Sequence, residues 1–183
     1  GYDQCAACVD AGVRSVTHLG NAMRLFHQHE PAIMGAALER DVYCEAICDG
    51  RHLHPGSVRM LLAIKGSHRM VPITDSIMAT GLPDGDYRLG VNEITVVDGD
   101  ALLKGKSVRA GSTLTMDRAL RNLLSFTGRP MEDVLPMLSQ TPAALLGDSH
   151  LGAIAPGYDA DFVLLDDAGN ILQTYIQGKP HNI

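Results

Sequence analysis

A chain of 183 residues with 45% apolar content can bury a substantial core, and one domain with a small appendage is the expected organisation. The formal net charge of −6 excludes a duplex-binding surface, which needs clustered Lys and Arg, and an aromatic share of 4% without Trp excludes a stacking platform for single strands. No apolar run is long enough for a membrane span, and no basic start followed by an apolar stretch marks a secretory signal. The 19 glycines suit an α/β protein with many tight strand–helix turns, and a small anionic substrate, which needs only a local pocket, remains open.

Residues 4–11 are rich in Ala and Cys and predict a helix stopped at Gly12. Val13 to Leu19 predicts a short buried strand, left through Gly20-Asn21. Pro31 to Leu38 predicts a small-residue helix or turn, and Val42 to Cys48 a second strand closed by Asp49-Gly50. Pro55 opens a helix with Val58, Leu61, Leu62 and Lys65 in register, ending at Gly66. Met70 to Thr74 gives a third strand, and strand–helix–strand at this spacing predicts a parallel sheet. From Asp84 to Val108 the chain changes character. Tyr87–Gly90, Glu93–Asp100 and Ala101–Leu103 predict short strands joined by glycine turns, a β insertion at about 85–108. Helices are expected over Ser112–Phe126, capped by Ser112 or Thr113, over Pro130–Leu138, and over Thr141–Leu146 with Gly147 as its stop. Ala160–Asp166 and Ile171–Gly178 predict a β-hairpin in a separate small sheet.

The four cysteines fall as Cys5-x-x-Cys8 and Cys44-x-x-x-Cys48. A Cys-x-x-Cys can be a redox pair or half a zinc site. Set in a helical Ala-rich segment, it is expected here to be a pair of structural thiols in a reducing cytosol.

Two strand ends carry chemistry. Val16-Thr17-His18 and Val71-Pro72-Ile73-Thr74-Asp75 are apolar or β-branched runs ending in groups that bind a metal or move a proton. Such ends hold the catalytic groups of an α/β barrel, and a His with an Asp points to a hydrolytic site. On residues alone, Asp75 is equally a helix N-cap after a strand, and His18 is more often a hydrogen-bonded strand-end histidine than a ligand.

The segments Thr17–Met23, Glu30–Ala36, Asp49–Pro55, Thr74-Asp75, Leu82–Tyr87, Ala110–Met116 and Leu151–Asp161 together resemble the C-terminal half of the N-acetylglucosamine-6-phosphate deacetylases of the amidohydrolase superfamily. They follow the family's order and cover nearly the whole chain. The resemblance implies the C-terminal part of a metal-dependent-hydrolase (β/α)8 TIM-like barrel over residues 1–150, with strands of a small β-sandwich domain over 151–183. It implies removal of an acetyl group from the sugar 2-amine, in amino-sugar recycling in a cytoplasm. It also implies a divalent metal (Zn, Fe, Mn or Co) held by a carboxylate and two histidines. His18 corresponds to the second histidine and Asp75 to the catalytic aspartate. The other two ligands fall upstream of Gly1, so little turnover is expected of this chain alone. His52, Asn21 and Ala22, and Arg109, Ala110 and Gly111 correspond to substrate-contacting positions.

The His52-x-His54 pattern belongs, in the superfamily, to metal ligands on a strand far upstream, and is expected here to hold no metal. One departure concerns the 6-phosphate. Where the family commonly has an arginine before Glu30-Pro31, this chain has His29, which is partly charged near neutral pH and cannot make a bidentate contact. His27, Arg24 or Arg51 are the residues that could compensate. The resemblance also implies a homodimer or homo-oligomer. Two rivals stand beside this reading: an amidohydrolase acting on a different amide or cyclic imide, and a non-catalytic barrel fragment that pairs with itself or with a complementary chain through open sheet edges.

Overall fold

The computed structural model describes residues 1–181, so the last two residues of the 151–183 unit lie outside the described residues. The chain opens with α1 (Tyr2–Asp10), β1 (Ser15–Val16), α2 (Ala32–Glu39), β2 (Tyr43–Ile47), α3 (Pro55–Lys65) and β3 (Met70–Ile73). The three strands form a parallel sheet in the order β1-β2-β3, with Val16 level with Cys44 and Cys44 level with Met70. Every residue of β2 except Glu45 is buried, as expected for a parallel strand covered on both faces.

Local sequence explains α3 well. The His54 ring accepts from Gly56 N at 3.0 Å as N-cap, Pro55 occupies the first turn, and Gly66 ends the helix at φ 67°. Val58, Leu61 and Leu62 are buried at helical spacing, each worth about 1.5–3 kcal/mol of transfer free energy. Lys65 continues that stripe into the core. Its Nζ donates to Ala37 O at 2.9 Å and Arg40 O at 2.6 Å, satisfying carbonyls at the end of α2. His54 thus has a capping role.

A second, antiparallel sheet follows, of β4 (Gly85–Leu89), β5 (Asn92–Val97) and β6 (Asp100–Leu103). The single strand expected over Glu93–Asp100 is broken by a tight turn at Asp98-Gly99, both at positive φ (51° and 74°). The Asp84 carboxylate accepts from both turn amides. Helices α4 (Met116–Thr127), α5 (Met131–Leu138) and α6 (Gln140–Leu146) then pack on the parallel sheet. Leu120, Leu123, Val134 and Met137 join Val42, Cys44, Val58 and Met70 in the main core. A third sheet, β7 (Phe162–Leu165), β8 (Ile171–Ile176) and β9 (Lys179–His181), adds a strand to the expected hairpin. Phe162, Val163, Leu164, Ile171, Leu172 and Ile176 on it are exposed. Among the described residues no helix is long and apolar enough to cross a membrane.

Two boundaries differ from expectation for tertiary reasons. The strand expected over Val13–Leu19 shrinks to Ser15–Val16, because the chain turns at Thr17–Gly20 and sends Leu19 N to Glu45 O at 2.8 Å, burying Leu19. The helix expected from Ser112 begins at Met116, with Thr115 in the cap position and neither Ser112 nor Thr113 capping it. Ser112 instead forms a parallel bridge with Ser76, its amide donating to Asp75 O at 2.7 Å and its carbonyl accepting from Ile77 N at 3.0 Å. Parallel order thus continues past β3 onto the Ser112 segment.

Candidate active site

Several candidate residues collect at one edge, the C-terminal ends of the parallel strands. His18 follows β1, Asp49 and His52 follow β2, Asp75 follows β3, and Gly111 precedes the Ser112 segment. His18 and Asp75 both adopt left-handed backbone, at φ 34° and 51°, where a residue with a Cβ is strained. At Asp75 the strain is held by the Ser112 amide on its carbonyl and by Ser112 Oγ donating to Thr74 O. The Asp75 side chain is exposed. Gly111, at φ 69°, lies against it: a Cβ there would come 2.9 Å from Asp75 O and 3.9 Å from Asp75 Oδ2.

The turn after His18 brings Asn21 to it, with Asn21 Nδ2 donating to His18 O at 3.2 Å. Ala22 takes φ 51° immediately afterwards. The same turn faces the His52 loop, where a Cβ on Gly20 would lie 3.5 Å from Leu53 Cδ2. His18 Nδ1 is buried without a hydrogen-bond partner. A bare imidazole nitrogen of that kind is a group a metal ion would satisfy. His18 therefore fits the role of one ligand, whereas no group of three His, Cys, Asp or Glu side chains that could hold a metal gathers among the described residues.

His52 is the most firmly held of the candidates. Its Nδ1 lies 2.6 Å from Asp49 Oδ2, with the two side chains only 6% and 10% exposed. Asp49 Oδ1 accepts in addition from Arg51 N at 2.8 Å and His52 N at 2.7 Å. Burial pushes the Asp49 carboxyl up, but the hydrogen bonds from the His52 ring and from the two amides outweigh it and hold the group below the usual carboxylate value.

Arg109 runs beside β6, with Ala110 N donating to Ala101 O at 3.0 Å, and closes a bidentate pair on Asp100 at 2.9 Å for both contacts. That hydrogen bonding raises its already high pKa. Arg51 Nη1 also reaches Asp100, at 3.6 Å, and Arg51 Nη2 donates to Asp98 O. Arg109 thus sits in a fixed ion pair, with its guanidinium engaged by this chain. A cavity of about 300 Å³ opens beside these groups, lined by Asp49, Arg51, Gly99, Thr113, Arg118 and Asn122 among others.

His29 stands apart. It is exposed in a loop with exposed Leu25 and Phe26, and its amide donates to His27 Nδ1 at 3.2 Å. The two rings lie 5.3 Å apart, and the neighbouring Arg24 is paired with Glu30 at 3.1 Å. Asp49 and Asp100 were not picked out as site residues from sequence. The signal for Asp49 was its place three residues before His52; Asp100 had none.

The profile of the amidohydrolase family matches residues 3–180. The chain is 37% identical over 179 residues to an N-acetylglucosamine-6-phosphate deacetylase of Lysinibacillus sphaericus, covering 97% of this chain and 46% of that protein. It is 36% identical over 180 residues to an N-acetylgalactosamine-6-phosphate deacetylase of Escherichia coli O157:H7, covering 97% and 47%. A mutant N-acetyl-D-glucosamine-6-phosphate deacetylase of Mycobacterium smegmatis, solved in complex with N-acetyl-D-glucosamine-6-phosphate, superposes with a TM-score of 0.92 at 38% identity, over 98% of this chain and 48% of that one. The chain spans about half the length of these relatives. With the profile match running almost end to end, this chain belongs to the amidohydrolase family.

Proposed function

We propose that this chain carries one half of an N-acetylhexosamine-6-phosphate deacetylase, which cleaves N-acetylglucosamine 6-phosphate into glucosamine 6-phosphate and acetate. The observation that carries the reading is the strained Asp75 at the end of β3, opened on one side by Gly111 and sharing a strand-end edge with the partnerless nitrogen of His18. The parallel sheet and its helices are read as part of a (β/α)8 barrel over 1–150 with its insertion at 85–108, and the third sheet as part of a small β-sandwich over 151–183. A cytoplasmic setting suits the free, buried thiols of Cys44 and Cys48.

His18 would be one ligand to a divalent metal, Zn, Fe, Mn or Co, although no group of three His, Cys, Asp or Glu that could hold one gathers among the described residues. Such an ion supplies an activated water and polarises the amide carbonyl. Asp75 takes a proton from the attacking water as its oxygen bonds to the acetyl carbon. As the C–N bond breaks, Asp75 delivers that proton to the departing 2-amine. His52 and the Asn21-Ala22 turn would hold the sugar phosphate, with His29 and the Arg109–Gly111 segment at its border. The similarity to both glucosamine- and galactosamine-type deacetylases leaves the configuration at the sugar's C4 as the finer choice. A homo-oligomer is supported by the exposed apolar side chains of β7 and β8.

The test is Asp75→Asn in the complete enzyme, assayed on both epimeric sugar phosphates. We expect kcat to fall by roughly 10²–10⁴-fold with KM little changed. An unchanged kcat would remove Asp75 from the reaction, and turnover of neither epimer by the parent enzyme would overturn the substrate class.

A further inference from the structure

The geometry points to Asp49 as the residue that sets the tautomer and orientation of His52, presenting its Nε2 as a hydrogen-bond acceptor when the ring is neutral. This rests on the reading of His52 as a substrate contact.

The loop is built to hold that pair. β2 ends at Ile47, and Asn122 Nδ2 of α4 donates to Cys48 O at 2.8 Å, anchoring the chain just before Asp49. Gly50 follows at φ 78°, and a Cβ there would meet the Phe126 ring at 3.2 Å, so the loop is pressed onto the same helix. Asp49 Oδ1 is taken by the amides of Arg51 and His52 in a tight turn. That leaves Oδ2 for the ring, 2.6 Å from Nδ1. With the two side chains only 6% and 10% exposed, little water competes for the contact between them.

An ionised carboxylate only accepts hydrogen bonds, so the proton of the contact belongs to Nδ1. Neutral His52 must then keep Nε2 bare, ready to accept from a sugar hydroxyl. A proton gained at Nε2 would turn the same atom into a donor for a phosphate oxygen without moving the ring. The charged groups around the pair are Arg51, bound to Asp100, Arg109 on the same carboxylate, and Arg118, which lines the cavity next to Asp49. Asp49 touches no substrate on this account and acts through His52 alone, as second partners of functional imidazoles do.

The experiment is long-range ¹⁵N–¹H correlation NMR of the chain labelled on its histidines, with the His52 ring assigned by its loss in His52→Gln. The expected spectrum at a pH where the ring is neutral shows Nδ1 protonated and Nε2 bare. In Asp49→Asn, whose amide can donate as well as accept, the Nε2–H form should become populated. A neutral wild-type ring protonated at Nε2 overturns the proposal, whether or not the variant folds. The spectrum needs no turnover. A wrong tautomer would therefore leave the deacetylase reading intact, and absence of activity in the complete enzyme would leave the tautomer result intact.

Discussion

Gly111 faces Asp75 across the last parallel pairing with no room for a side chain between them: a Cβ on Gly111 would lie 2.9 Å from Asp75 O and 2.6 Å from Ile77 Cγ2. Gly111 also sits at φ 69°, so an added methyl meets both backbone strain and a collision. Gly111→Ala is expected to cost about 1–3 kcal/mol of stability and to displace Asp75, lowering kcat of the complete enzyme. Urea unfolding beside steady-state kinetics checks this, and a variant equal to the parent in both would show that the strand edge yields freely.

Asp49 should dominate part of the acid response. Its carboxyl is held below the usual value of 3.8 in the folded chain, despite burial, by the ring and amides around it. A depressed folded value means that the unfolded chain binds more protons in this range, so stability rises with pH there. The contribution is complete above the unfolded value and is lost as pH falls through the folded one. Asp49→Asn should therefore flatten the slope of unfolding free energy as pH falls below the ordinary carboxylate value of 3.8, measured by urea titration at each pH. An unaltered slope would mean that other acids, such as Asp117 beside Arg121, govern the loss.

Those residues also show where sequence reasoning succeeded and where it ran out. α3 could be read from Pro55, its apolar period and Gly66, because each signal is local. β2 and β3 could be read for the same reason. The turn at His18 could not, since Val13 to Leu19 keeps an apolar pattern, and only the distant carbonyl of Glu45 bends it. Ser112 looked like a helix cap because its real partner, Asp75 O, lies far back in the chain. His18 and Asp75 stood out as strand-end groups with chemistry, whereas Asp100 could not. Its role exists only once residues 109–110 return along β6 and bring Arg109 onto it.

The cysteines should separate by burial. Burial pushes the thiols of Cys44 and Cys48 up to about 11 and about 12, and raises half-buried Cys5, while Cys8 is exposed. Because the thiolate is the reactive form, a brief pulse of iodoacetamide near neutral pH should label Cys8 first and Cys5 more slowly. Cys44 and Cys48 should react only after unfolding. Peptide mass spectrometry reads this order directly. Labelling of Cys44 or Cys48 alongside Cys8 in the folded chain would show that the β2 core opens on the timescale of the pulse.

His29 offers a test of how the substrate phosphate is held. No side chain outside its own loop bonds it in the described residues, so its ring is available to solvent and to a bound anion. Imidazole gives at most one charge-assisted hydrogen bond per nitrogen and is only partly protonated near neutral pH, whereas a guanidinium is always charged and binds phosphate through two parallel N–H groups. If His29 faces the 6-phosphate, His29→Arg in the complete enzyme should lower KM for the phosphorylated sugar by up to roughly tenfold, the equivalent of about 1.4 kcal/mol. KM for the unphosphorylated N-acetyl sugar should stay where it was, and so should kcat, because the contact is present in ground and transition states alike. Equal KM values for the phosphorylated sugar would take His29 out of the phosphate site and shift the role to Arg24 or His27 on the same loop. A fall in KM for both sugars would instead locate residue 29 against the sugar ring.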